Sequence, residues 1–139
     1  MTAEFCDSNV LIYAYDITEP RKHEIAKQLV MRLWSDGTGA LSTQVLSEFF
    51  VNITRKVAHP LSISTAEEVI ADFGNWRVQT LTVASIRQAV RDLVRPHGIS
   101  FWDALILQAA RDAGAAIMWS EDLQTGRSFY GVQIQNPFA

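Results

Sequence analysis

The chain has 139 residues, 48% of them hydrophobic and 19% charged, with 12 basic side chains against 15 acidic ones and a formal charge of −3. That length fits a single domain over residues 1–139, and such a domain buries enough surface to fold without a disulfide or a structural metal. Cys6 is the only cysteine, which excludes an intrachain disulfide framework and a zinc ribbon. The mild acidity argues against a partner held by simple charge attraction, such as duplex DNA.

In chain order, Phe5 to Asp7 reads as a short strand, followed at once by an apolar helical stretch, Val10 to Tyr15, for which Asn9 is a natural N-cap. From Pro20, Ile25, Ala26, Leu29, Val30 and Leu33 recur at helical spacing, and Gly37 and Gly39 mark the turn that follows. Ala40 to Ser42 is the second strand. A helix from Val45 to Val57 carries Leu46, Phe49, Phe50 and Ile53 on one side, and Ser64-x-x-Glu67 reads as a capping box opening another that ends near Phe73. Val78 to Leu81 forms a third strand, and Thr82 caps a helix whose stripe is Ile86, Ala89, Val90, Leu93 and Val94. Ser100 opens a helix to Ala113 with Gly114 as its stop, Ala115 to Trp119 is a buried strand, and Gly131 to Gln135 is the last. Strands alternating with helices imply right-handed crossovers, a mainly parallel sheet of four or five strands and the α/β class. No repeat, linker, secretory leader or apolar run of membrane-spanning length is visible, so the expectation is a cytoplasmic protein without a membrane partner.

Ligands of open parallel sheets bind beyond the carboxyl ends of the strands. Four acids fall there: Asp7 ends the first strand, Glu48 lies early in the helix after the second, Asp103 in the first turn after Ser100, and Asp122 after the strand ending at Trp119. Each has a structural reading of its own. Asp7 fits an Asx turn, Glu48 a solvated helix turn, Asp103 a capping box with Ser100, and Glu121 competes with Asp122 to be the acid that points inward. The helix of Asp103, Phe101 to Leu107, is apolar on nearly every side and is expected to be packed all round, with Trp102 and Trp119 in the core. Gathered together without a lysine, four acids repel one another, and a hard divalent cation such as Mg²⁺ removes that conflict. Such a site points to phosphodiester chemistry.

These segments resemble the motifs of PIN-domain ribonucleases, specifically the toxin component of the VapBC type. Phe5-Cys6-Asp7-Ser8-Asn9-Val10 is similar to the family's opening strand and turn, with Ser8 where the family often has Thr. Thr43 to Phe50, Ser100 to Ile106 and Trp119 to Leu123 are similar to its second, third and fourth motifs. The resemblance implies a PIN-like α/β/α sandwich and an acidic quartet, Asp7, Glu48, Asp103 and Asp122, that binds Mg²⁺ or Mn²⁺. Asp122 is chosen over Glu121 by the Ser-x-Asp pattern. Ser8, Asn9 and Ser120 are expected to hold these carboxylates by hydrogen bonds, and the resemblance implies endonucleolytic cutting of RNA to 5′-phosphate and 3′-hydroxyl ends. It also implies a homodimer and a cognate small antitoxin that places a basic side chain in the cleft.

Nine of the 12 basic residues are Arg, which suits bidentate phosphate contacts. Arg87, Arg91 and Arg95 recur every four residues as one stripe, either a solvated helix face or an RNA-contacting edge. Setting the quartet aside, 12 basic groups face 11 acids, so the acidity of the chain is mostly that of its site. Two other readings compete. One is a catalytically silent PIN-like RNA-binding or scaffold domain. The other is a Mg²⁺-binding phosphoacceptor signalling domain, which normally uses a late lysine, whereas no lysine follows Lys56.

Overall fold

The sheet is built around β1 (Ala3–Cys6), whose neighbours on either side come from opposite ends of the chain. A computed structural model describes residues 2–139. From β1 the chain runs through α1 (Ser8–Tyr15) and α2 (Pro20–Asp36) to β2 (Gly39–Ser42), then through α3 (Thr43–Arg55) and α4 (Ile63–Phe73) to β3 (Arg77–Gln79). It returns through α5 (Val83–Ala89), a π-helical turn at Val90–Val94, α6 (Arg95–His97) and α7 (Phe101–Asp112) to β4 (Ala115–Trp119). The last strands are β5 (Ser128–Phe129) and β6 (Val132–Gln135).

The strand order is β3-β2-β1-β4-β6-β5, parallel throughout except for the β5–β6 hairpin. Because β1 lies between β2 and β4, the order reverses at β1, and the long return from β3 to β4 carries α5 to α7 over the opposite face from α1 to α4. The α/β/α sandwich expected from the motifs is therefore present. The core runs through both layers, from Phe5, Leu41, Met118 and Ile134 on the strands to Leu11, Leu33, Phe49, Ile53 and Leu93 on the helices, all fully buried. In α7 every residue from Ala104 to Ala110 is buried, the polar Gln108 among them, its Nε2 donating to Gln88 Oε1 at 3.2 Å and to Asp112 Oδ1 at 3.0 Å.

Several local expectations are corrected. The sheet has six strands rather than four or five, because the two-residue β5 is too short to leave an alternating pattern. It pairs with β6 through a turn in which Tyr130 and Gly131 both have positive φ. The first strand ends at Cys6, and Asp7 rather than Asn9 is the N-cap of α1, its carboxylate accepting from the Ser8 amide. Ser62 rather than Ser64 caps α4, accepting from the Thr65 amide at 3.1 Å. The third strand lies at Arg77–Gln79, not Val78 to Leu81. The helix capped by Thr82 is regular only to Ala89 before the π turn. The first turn of α7 is not packed: Phe101, Trp102 and Asp103 are exposed, Trp102 by 65%. Trp119 is half-buried against the core and donates its indole N–H to Glu4 at 2.9 Å. Gly39 is fixed by contact, since a Cβ there would lie 2.5 Å from the Trp76 ring.

Candidate active site

A cavity of about 600 Å³ opens at the carboxyl ends of β1 and β4, the reversal point of the sheet, and its lining includes Asp7, Glu48, Asp103, Glu121 and Asp122. Each acid arrives from a different element. The end of β1 delivers Asp7, the second turn of α3 delivers Glu48, the first turn of α7 delivers Asp103, and the loop after β4 delivers Glu121 and Asp122.

Asp7 is the buried member, 7% exposed. Its Oδ1 accepts from the Ser8 amide at 2.7 Å, and its Oδ2 accepts from Ser120 Oγ at 2.8 Å and from Asn9 Nδ2 at 3.5 Å. No basic side chain pairs with it among the described residues. Burial pushes its carboxyl up to about 6, against the pull of the Ser120 and Ser8 hydrogen bonds, and the nearby Glu48 and Asp103 charges add to the rise.

On its own helix Glu48 reads as a solvated glutamate and within the quartet as a metal ligand; it is half-buried and held at both oxygens. Ser8 Oγ donates to Oε1 at 2.9 Å and Gln44 Nε2 to Oε2 at 3.2 Å. Gln44 also donates to the Trp102 carbonyl at 3.2 Å, tying α3 to the start of α7 beside Asp103. Gln44 was not picked out from the sequence, although its i,i+4 spacing to Glu48 is a visible signal.

Asp103 is exposed, and its backbone N–H donates to Ser100 Oγ at 3.4 Å. Half of the capping box is thus present, while the carboxylate makes no hydrogen bond among the described residues and faces the cavity. Asp122 is likewise exposed and free of such bonds among the described residues. Glu121 is engaged instead: Tyr13 donates to its Oε2 at 3.1 Å and Lys22 Nζ bonds its Oε1. Tyr13 and Lys22 are the other side chains that sequence reasoning missed, because 99 residues separate Lys22 from Glu121.

Ser8, Asn9 and Ser120 stand behind the acids as a connected set. Asn9 Oδ1 accepts from the Glu121 amide at 3.2 Å, its Nδ2 donates to Ser120 Oγ at 3.4 Å, and Ser120 Oγ accepts from the Leu123 amide at 3.2 Å. The loop after β4 is thereby locked to the start of α1. Arg87, Arg91 and Arg95 do not enter this cavity. They line a separate groove with Ile86 and Val90, all three exposed, and Arg91 lies 3.6 Å from Asp92.

Carboxylates around a polar cavity at a sheet's carboxyl edge suit a hard cation, and the donors are all oxygen. Among the described residues no three acids stand within ready-made coordination distance. A cation held here would keep several waters, as Mg²⁺ commonly does. Among the described residues no helix is long and apolar enough to cross a membrane.

The family model of the PIN domain matches residues 5–127. The chain is 30% identical to Ribonuclease VapC48 of Mycobacterium tuberculosis over 148 aligned positions, covering 99% of each. Among solved structures it resembles VapC20 of the same organism, described as a Sarcin-Ricin loop cleaving toxin, with 24% identity, TM-score 0.61 and coverage of 84% of this chain and 87% of that one. It also resembles DNA-bound VapBC of Salmonella typhimurium, with 17% identity, TM-score 0.64 and 99% of both chains covered. These likenesses to solved structures bear on the fold alone. A family match over most of the chain, joined to a relative alike along its whole length, gives one assignment: the chain belongs to the PIN-domain family.

Proposed function

We propose that this chain is a Mg²⁺- or Mn²⁺-dependent endoribonuclease that acts as the toxin of a toxin–antitoxin pair. The observation that carries the reading is the convergence of Asp7, Glu48, Asp103 and Asp122 on one cavity, with the buried Asp7 facing no cationic side chain among the described residues. The whole-length likeness to a protein named as a ribonuclease supports the same chemistry. A silent scaffold reading gains nothing from a buried carboxylate held at an elevated proton affinity.

The donors fit a divalent cation. Asp7 and Asp103 would coordinate directly, with Glu48 and Asp122 completing the set directly or through water. A bound cation supplies Lewis-acid activation of water and stabilisation of charge on the leaving oxygen. The chain's own residues do the positioning: Ser8, Ser120 and Asn9 fix the Asp7 carboxylate, while Ser8 and Gln44 aim Glu48. The loop after β4 presents Asp122 toward the phosphodiester. Arg87, Arg91 and Arg95 form a second contact for RNA, as phosphate-binding guanidinium groups outside the cleft.

The partner in the resting cell is a small antitoxin whose basic side chain enters the acidic cleft, and the working unit is a homodimer in the cytoplasm. VapBC and FitAB complexes bound to DNA are among the structures with this fold, which supports looking for such a partner here. The test is cleavage of total cellular RNA by the purified protein with Mg²⁺ or with chelator, beside Asp7→Asn and Asp103→Asn. Cutting that needs metal and is lost in both variants is expected. Metal-independent cutting, or cutting that survives both substitutions, overturns the mechanism.

A further inference from the structure

We infer that Lys22 is a positioning residue of the acidic cleft, which draws the Glu121 carboxylate out of the acid set so that Asp122 alone represents the loop after β4. The inference deepens the metal-dependent reading of the site and rests on it.

Both oxygens of Glu121 are satisfied: Oε1 by Lys22 Nζ, and Oε2 by Tyr13 OH at 3.1 Å. Lys22 itself comes from α2 and touches the lining of the cleft, where its Nζ also donates to Tyr13 OH at 3.4 Å and lies 3.9 Å from Glu19. Its position is built rather than incidental. The ammonium sits 5.0 Å from the centre of the Tyr13 ring and 5.8 Å from that of Phe138, and those two rings meet edge to face at 5.1 Å. Phe138 is held in turn, its carbonyl accepting from Arg21 Nη2 at 2.7 Å and its amide donating to Asn136 Oδ1 at 2.9 Å. The side chains of Lys22 and Glu121 are 27% and 20% exposed, so this pair is shielded more than a surface ion pair.

Glu121 is also pinned through its backbone, where its N–H donates to Asn9 Oδ1. Asp122, the next residue, makes no hydrogen bond among the described residues and stays available to the cavity it lines. Without Lys22, the Glu121 carboxylate would face the cleft with no ion pair, beside the Asp16 and Glu19 carboxylates that also line it. Added negative charge strengthens the hold on a divalent cation and repels an RNA phosphate. The lysine therefore sets the balance between metal and substrate.

The experiment is a double-mutant cycle of Lys22→Met and Glu121→Gln, with Lys22→Arg as the conservative variant. It is read by Mn²⁺ titration calorimetry and by KM and kcat for RNA. Lys22→Met is expected to bind Mn²⁺ at least fivefold more tightly and to raise KM at least fivefold. Adding Glu121→Gln is expected to bring both back to within twofold of wild type, and Lys22→Arg to leave both there. Glu121→Gln alone, which leaves the Lys22 charge uncompensated, is expected to weaken Mn²⁺ binding about fivefold, far less than Asp122→Asn, and this arm holds even if Lys22→Met fails to fold. A loss of Mn²⁺ binding in Glu121→Gln equal to that in Asp122→Asn overturns the inference, since Glu121 would then be a ligand. Equal defects in Lys22→Met and in the double variant also overturn it, by making Lys22 a pin or an RNA contact. Asp7→Asn in the same titration separates the two claims: wild-type Mn²⁺ binding and cutting there sinks the metal reading itself, whatever the cycle shows.

Discussion

Replacing Asp7 with Asn in metal-free protein is expected to stabilise the fold, and to do so only as the pH rises. The carboxyl is pushed from its ordinary 3.8 up to about 6 by burial, so the folded state prefers the neutral form. The stability tied to this proton is complete below pH 3.8 and is lost as the pH climbs through 6. The charged carboxylate thus costs about 1 kcal/mol at pH 4.5 and about 3 kcal/mol at pH 8. Asparagine keeps the acceptor for the Ser8 amide but presents an N–H₂ toward Ser120 and Asn9, a rearrangement costing about 1 kcal/mol at every pH. The variant should therefore match wild type near pH 4.5 and exceed it by about 2 kcal/mol at pH 8, measured by urea unfolding in chelator across that range. Saturating Mg²⁺ should reverse the order, raising wild type by about 2.7 kcal/mol at a hundredfold excess over its dissociation constant while leaving the variant unmoved. Parallel stability curves for the two proteins from pH 4.5 to 8 would refute the claim that Asp7 is a buried carboxylate without a charge partner.

Two further outcomes concern contacts elsewhere in the fold. Gly39→Ala places a methyl 2.5 Å from the Trp76 ring and should lose about 1–3 kcal/mol in chemical denaturation; unchanged stability would mean that β2 and Trp76 separate without cost. Reversing Arg87, Arg91 and Arg95 to Glu should weaken RNA binding at least tenfold at low salt and flatten its salt dependence, with little change in kcat, in filter binding and steady-state assays. Unaltered affinity and salt slope would return the stripe to a solvated helix face.

The order of strands and helices was legible because each long helix carries its apolar face at regular spacing and α7 holds the apolar run Ala104 to Leu107. The four acids were legible because parallel-sheet chemistry gathers at strand ends, and four elements each carry one there. What escaped was set by contacts across the chain. Glu48 reads as solvent-facing on its own helix, since Ser8 lies 40 residues away, and nothing near Glu121 announces Lys22. Trp102 misled because an apolar residue in an apolar helix reads as core, whereas the first turn of α7 projects beyond the sheet edge toward the cleft. The Asn9 cap was misplaced because three consecutive residues, Asp7, Ser8 and Asn9, are all good caps, and only strand length decides among them.

The most direct test of the acidic site as a nuclease centre is single-turnover cleavage of end-labelled RNA by Asp103→Asn in Mg²⁺, paired with its unfolding curve. Asp103 is exposed and its carboxylate makes no hydrogen bond among the described residues, so its loss leaves the fold within about 0.5 kcal/mol of wild type. The acidic-site account predicts a rate reduced at least a hundredfold on an unchanged scaffold. Cleavage at the wild-type rate by that stable variant would contradict it.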